Sequence, residues 1–205
     1  QLVGSGFNDV LTGSSGNDTL TGGAGDDRLD GADGNDVLKG GTGDDTIFGS
    51  DGADVVDGEA GLDTVDYSGS TSAVQVALDG TTGHGGQAEG DVISNTERLI
   101  GSNFADVLGG SSGADTIDGG AGDDTIRGSA GADRLEGGSG NNTVDYSAST
   151  AAVTVYLDGT AGVGGDAAGG VQDLVRHLEG IQHASIAADG IELGLRAEQL
   201  QRAAG

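Results

Sequence analysis

Residues 22–48 read GGAGDDRLD, GADGNDVLK and GGTGDDTIF, three successive copies of one nine-residue pattern, G-x-x-G-x-D-x-(Leu/Ile/Val)-x. Outward from this stretch the pattern begins at Gly4, Gly13, Gly22, Gly31, Gly40, Gly49 and Gly58, then again at Gly101, Gly110, Gly119, Gly128 and Gly137. All twelve first positions are glycine, and the sixth is Asp in eleven repeats and Asn142 in the last. A short fixed period signals an architecture in which each unit leans on its neighbours instead of closing a core of its own.

The eighth position is always aliphatic: Leu11, Leu20, Leu29, Leu38, Ile47, Val56, Val65, Leu108, Ile117, Ile126, Leu135 and Val144. Three residues centred on it suit a short strand, while G-x-x-G-x-D suits a turn, because glycine reaches positive φ without steric cost. Two repeats return the chain to its starting side, so repeat n lies beside repeat n+2. The fold class expected is all-β, a parallel β-roll (β-helix or solenoid) of 18-residue coils whose aliphatic residues face one thin core. One buried aliphatic side chain per nine residues does not repay the entropy of ordering them, and stacking sets the sixth-position carboxylates in a repelling column. A cation between the turns resolves both problems. Carboxylates and backbone carbonyls are hard oxygen ligands of flexible geometry, which suits Ca2+ better than magnesium, and metal binding energy then becomes folding energy.

The 205 residues carry a net charge of −26 and 44 glycines, with no cysteine, proline, methionine or tryptophan. Disulfides and thiolate zinc sites are excluded, and no apolar run approaches the roughly 18 to 20 residues of a membrane span. Only eight Lys and Arg argue against nucleic acid or an anionic membrane as partner. No secretory signal is visible. The chain opens inside the pattern, so a larger parent chain is expected. Two longer segments match one another, DTVDYSGSTSAVQVALDGTTGHGG from Asp63 and NTVDYSASTAAVTVYLDGTAGVGG from Asn142. Their offset of 79 residues also carries Gly22 onto Gly101, so residues 22–100 and 101–179 are two copies of one super-repeat. The organisation expected is a first array at 1–66, connecting strands and a Gly-rich loop at 67–100, a second array at 101–145, a second connecting segment at 146–180 and a C-terminal cap at 181–205.

GGAGDDRLD at 22–30, GGTGDDTIF at 40–48 and GGAGDDTIR at 119–127 resemble the RTX (repeats-in-toxin, haemolysin-type) calcium-binding family. The resemblance covers residues 4–66 and 101–145. It implies that each ion sits between turn n, giving the carbonyls of positions two and four plus its Asp, and turn n+2, giving the carbonyls of positions one and three plus its Asp. Gly23, Gly25 and Asp27 would then share an ion with Gly40, Thr42 and Asp45. Ser14, Gly16 and Asp18 would pair with Gly31, Asp33 and Asp36, and Ala32, Gly34 and Asp36 with Gly49, Asp51 and Asp54. Gly41, Gly43 and Asp45 would pair with Gly58, Ala60 and Asp63, and Ser111, Gly113 and Asp115 with Gly128, Ala130 and Asp133. Three pairs depart from the pattern. Phe7 and Phe104 replace the fourth-position glycine, altering the pairs Asp9 with Asp27 and Asp106 with Asp124; the latter takes Gly119 and Ala121. Asn142 replaces the last Asp, so its pair with Asp124, which takes Gly120, Gly122 and Gly137, lacks one charge. Five to eight ions result, and eight would move the net charge from −26 to about −10.

Beyond the repeats, Val74, Val76 and Leu78, and equally Val153, Val155 and Leu157, alternate as strands that continue or flank the roll. The loops at 79–91 and 158–170 are read as solvated, or as extra ion sites through Glu89, Asp91 or Asp166. Tyr67 and Tyr146 are expected to pack over the end of the preceding coils, and Phe7 and Phe104 to act as caps. His84, His177 and His183 lack a partner at metal-ligand spacing, and no catalytic motif appears, so no enzymatic site is expected. GIELGL suits closure of the roll, and RAEQLQRAA a helix packing on it. The first functional reading is a calcium-binding structural module. RTX resemblance implies a secreted bacterial parent, exported unfolded by type I secretion and folding outside the cell or at its surface. A self-assembling surface layer, filament or adhesin repeat is the second reading, and an accessory module of a secreted hydrolase or epimerase the third.

Overall fold

The eighth-position residues set the register. In the computed structural model, which describes residues 1–151 and the two-residue strands at 154–155 and 192–193, parallel strands pair with their eighth positions opposite one another. Leu20 lies opposite Leu38, Leu38 opposite Val56, and Leu29 opposite Ile47, each pair 18 residues apart. The chain is an all-β solenoid of about eight turns.

One face is continuous. It stacks β2 (Val10–Thr12), β4 (Arg28–Asp30), β6 (Thr46–Phe48), β8 (Thr64–Asp66), β11 (Arg98–Ile100), β13 (Thr116–Asp118) and β15 (Arg134–Glu136). The facing strands divide into two sheets. The first holds β1 (Leu2–Val3), β3 (Thr19–Ala24), β5 (Val37–Thr42), β7 (Val55–Ala60) and β10 (Val92–Ser94). The second holds β9 (Gln75–Ala77), β12 (Val107–Gly109), β14 (Thr125–Arg127) and β16 (Thr143–Asp145).

The division follows from residues 67–97. The chain leaves β8, forms β9 beside β12, and then returns to form β10 beside β7. The other edge of β9 is covered by an antiparallel bridge, in which Gln75 N–H donates to the His84 carbonyl at 2.7 Å and His84 N–H to that of Gln75 at 2.8 Å. The alternation expected at Val74, Val76 and Leu78 is present, with all three buried. Val155 lies in β17 (Thr154–Val155), which pairs in parallel with β18 (Glu192–Leu193) inside GIELGL. Val153 and Leu157, His177 and His183, and the helix expected in RAEQLQRAA lie outside the described residues.

The core is one thin stack. Leu20, Leu29, Leu38, Ile47, Val65, Leu108, Ile117 and Ile126 are fully buried, and Ile93 and Leu99 continue the same columns through the insert. Tyr67 is also fully buried, its ring lying where a Cβ on Gly49 would stand; Tyr146 meets Gly128 in the same way. Both tyrosines therefore pack as expected, but within the stack instead of over an end. The aromatic caps are corrected: Phe7 is 79% exposed and Phe104 is 44% exposed, because a side chain at the fourth position projects off the turn.

Candidate metal centre

Coil stacking brings the sixth positions into columns, and each Asp uses its two carboxylate oxygens differently. Oδ1 accepts the backbone N–H of the sixth-position residue 18 places earlier. Asp27 N–H reaches Asp45 Oδ1 at 2.7 Å, Asp18 reaches Asp36 at 2.7 Å, and Asp36 reaches Asp54 at 2.8 Å. Asp45 likewise reaches Asp63 at 2.8 Å, Asp9 reaches Asp27 at 2.8 Å, and Asp115 reaches Asp133 at 3.1 Å. Asp106 reaches Asp124, and Asp124 reaches the amide oxygen of Asn142, both at 2.9 Å. All eight sixth-position pairs expected from the sequence are thus brought together.

Oδ2 is where the turns need something more. In Asp27, Asp36, Asp45, Asp63 and Asp124 this oxygen is buried and has no hydrogen-bond donor. A buried carboxylate oxygen without a partner is costly, and native structures rarely leave one. Each lies against the first-position glycine of its own turn. A Cβ on Gly119 would stand 2.6 Å from Asp124 Oδ2 and 2.7 Å from the Gly137 carbonyl, so both oxygens border one gap that only glycine leaves open. At Gly22 the bordering oxygens are Asp27 Oδ2 and the Gly40 carbonyl, and at Gly40 they are Asp45 Oδ2 and the Gly58 carbonyl.

Second- and fourth-position carbonyls point the other way, toward turn n+2. Those of Gly23 and Gly25 face Gly41 and Gly43, whose φ angles of 120° and 123° require glycine. Among the described residues, no three His, Cys, Asp or Glu side chains gather as a metal-ligand group. The donor set between turns is therefore carboxylates plus carbonyls, hard oxygens throughout, and it fits Ca2+. Parts of the expected ligand set already have a partner, the second-position carbonyl of Gly120 among them, which accepts Ser139 N–H at 2.9 Å. The third-position carbonyls of Thr42, Asp51 and Ala60 accept N–H bonds from Gly25 and Gly34 at 2.8 Å and from Gly43 at 3.0 Å.

Electrostatics agree with a column awaiting positive charge. Burial, followed by neighbouring aspartates, pushes Asp63 and Asp124 up to about 6, against the opposing pull of their backbone hydrogen bonds. Burial also raises Asp45 and Asp115. Asp18 is lowered, first by the hydroxyl of Ser14.

Four overlapping matches to the RTX calcium-binding nonapeptide repeat cover residues 3–38, 30–65, 94–126 and 109–144. The chain belongs to the RTX calcium-binding repeat family. RTX repeats bind Ca2+, and the glycine turns and aspartate columns described above are those repeats in this chain. No curated protein matches the sequence. The RTX roll is a structural calcium-binding module, and no helix among the described residues is long and apolar enough to cross a membrane.

Several participants escape the pattern. Fifth-position Asn and Asp form a second, exposed ladder: Asp44 N–H reaches Asp26 Oδ1 at 3.0 Å, and Asn35 N–H reaches Asn17 Oδ1 at 3.1 Å. The signal was present, since Asn8, Asn17, Asp26, Asn35, Asp44, Asp123 and Asn141 share that position. At the insert, Glu97 Oε2 accepts Asp63 N–H at 3.0 Å in place of a repeat aspartate. Asp91 is not a solvated loop residue. It is fully buried, its Oδ1 accepts Asp54 N–H at 2.8 Å, and its Oδ2 accepts the Tyr67 hydroxyl at 2.6 Å. Burial pushes Asp91 up to about 7, and burial with the adjacent Asp91 raises Tyr67 well above its usual value. Glu89 remains exposed, accepts Gly85 N–H at 2.8 Å and lies 3.7 Å from His84.

Proposed function

We propose that this chain is a calcium-folded structural module of a secreted bacterial protein, with five to eight ions held between turns n and n+2. The observation that carries the reading is the set of five buried Oδ2 atoms without a donor, four of which border a backbone carbonyl of the next coil. Calcium supplies the charge these columns lack. The sixth-position carboxylates and the turn carbonyls hold it, and the ordering of each coil then costs less than the binding returns. Weak sites, in the range of about 10⁻⁴–10⁻³ M, would stay empty in a low-calcium cytosol and fill outside the cell, which suits a chain exported unfolded.

A second reading, lateral or end-to-end assembly, is favoured by one feature. Residues 22–100 and 101–179 are two copies of one 79-residue unit, the organisation of a modular array. Far-UV circular dichroism with size-exclusion light scattering, during a calcium titration with magnesium as control, tests both. A cooperative gain of β signal with calcium alone supports the module, and a calcium-dependent rise in mass supports assembly. Full β structure in chelator would overturn the calcium-folded reading.

A further inference from the structure

The twelve turns fall into two kinds, and the second residue of the repeat decides which. Where it is serine, its hydroxyl donates to the aspartate of the same turn. Ser5 reaches Asp9 at 2.9 Å, Ser14 reaches Asp18 at 2.8 Å, and Ser50 reaches Asp54 at 3.0 Å. Ser102 reaches Asp106 at 2.7 Å, Ser111 reaches Asp115 at 3.1 Å, and Ser129 reaches Asp133 at 2.8 Å. In four of these turns the serine N–H also points at Oδ2, from 2.5 Å at Ser5 to 2.8 Å at Ser14.

Where the second residue is Gly23, Ala32, Gly41, Glu59 or Gly120, it adopts positive φ, and Oδ2 of Asp27, Asp36, Asp45, Asp63 or Asp124 has no donor. The peptide joining positions one and two is turned over in these turns. The carbonyls of Gly22, Gly31, Gly40, Gly58 and Gly119 face the turn 18 residues earlier, as does that of Gly137, which precedes the positive-φ Gly138.

Resting on the calcium reading above, we propose that the second residue is a loading switch, with serine closing a turn to calcium and Gly, Ala or Glu leaving it open. A closed turn gives its carboxylate a charge-assisted partner and, at Ser5, Ser14, Ser102 and Ser111, aims an N–H, not a carbonyl, toward the site. Opening it requires the serine to move to positive φ, a conformation costly for a residue with a Cβ. The pairs 22–27 with 40–45 and 40–45 with 58–63 are open on both sides and load first. The pair 110–115 with 128–133 is closed on both sides by Ser111 and Ser129 and stays free of calcium.

Native mass spectrometry of the whole chain across a calcium chloride titration tests this. The double variant Ser111→Gly, Ser129→Gly should carry one more ion per chain than the parent at saturation. Ala32→Ser, at a position already bearing a Cβ at φ 65°, should need roughly tenfold more calcium to reach the parent's ion count, or should lose one ion. Unchanged loading in both variants, with the parent filling every pair at one affinity, would overturn the switch while leaving the calcium module standing. No calcium bound by any of the three proteins would overturn the module itself.

Discussion

The coil at Asp54 and the coil at Asp45 stack on their neighbours by the same N–H to Oδ1 bond, yet the carboxylates above them are completed by different means. Above Asp45 stands Asp63, whose Oδ2 has no donor within the protein. Above Asp54 stands Asp91, whose Oδ2 receives the Tyr67 hydroxyl at 2.6 Å. Asp63 is left without a donor, whereas the junction brings its own on a ring that fills the space over Gly49. The solenoid therefore combines turns whose buried carboxylate lacks a donor with turns that supply one, from a second-position serine or, at the junction, from Tyr67.

The largest expected effect sets the two regions against each other through pH. Asp63 and Asp124, at about 6, and Asp91, at about 7, sit above the roughly 3.9 of an unfolded Asp. The folded chain therefore holds protons that the unfolded chain has released. That stabilisation is complete below about pH 4 and is lost as pH rises through 6 to 7. In chelator, lowering the pH from about 7.5 to 5 should restore β signal in far-UV circular dichroism, acid standing in for calcium. With calcium present the sign reverses at Asp63 and Asp124, since the ion requires their charged form, and the calcium midpoint should rise as pH falls below about 6. Asp91 should take no part in that reversal, because Tyr67 occupies its second oxygen. An identical pH response with and without calcium would remove the distinction between the two regions.

Next in size is Tyr67. Tyr67→Ala should cost about 3–5 kcal/mol at saturating calcium, since it empties a fully buried ring site beneath the break between the two facing sheets. Tyr67→Phe keeps the ring and strips Asp91 of its donor, for about 1–3 kcal/mol. Both should lower the melting temperature without changing the number of ions bound. An altered ion count in the Phe variant would mean that Asp91 belongs with the metal columns.

Asp45→Asn tests the array side at smaller amplitude. Asn142 shows that an amide oxygen keeps the ladder, accepting Asp124 N–H at 2.9 Å. The substitution should therefore leave stacking intact and remove one charge from two adjoining gaps. Its calcium midpoint should rise about tenfold, equivalent to roughly 1.4 kcal/mol. Asp91→Asn should leave the midpoint unmoved.

The period made the array legible. An aliphatic residue at every eighth position and a carboxylate at every sixth but Asn142 admit one register, because a slip of a single residue would bury the wrong side chains, and Leu20 opposite Leu38 follows. The insert was legible only as strands. Alternation at Val74, Val76 and Leu78 marks a buried strand without saying which neighbour it takes, and β9 joins β12 before the chain turns back to form β10 beside β7. Asp91 was misread for a related reason: its partner, Tyr67, lies 24 residues away and outside the nine-residue period. Second-position serine was visible at every step. Its effect depends on a peptide orientation that the residue list does not encode.

Aromatic side chains supply the smallest expected effect and the sharpest form of the comparison. Tyr67 and Phe7 are both large, but the first replaces a coil's missing donor and the second only occupies a glycine position at the start of an array. Gly25 lies next to the Phe7 backbone, and a Cβ there would stand 2.6 Å from the Phe7 carbonyl carbon. The close approach is between backbones, and the Phe7 ring, 79% exposed, is not part of it. Phe7→Ser should therefore shift stability by less than about 0.5 kcal/mol, as expected for a surface change away from core and turn bonds. Phe104→Ser, starting from a ring 44% exposed, should cost slightly more. Thermal melts in saturating calcium measure both. A loss at Phe7 approaching that of Tyr67→Phe would show that the fourth-position ring closes the first coil after all, and that aromatic completion is a device shared by array and junction.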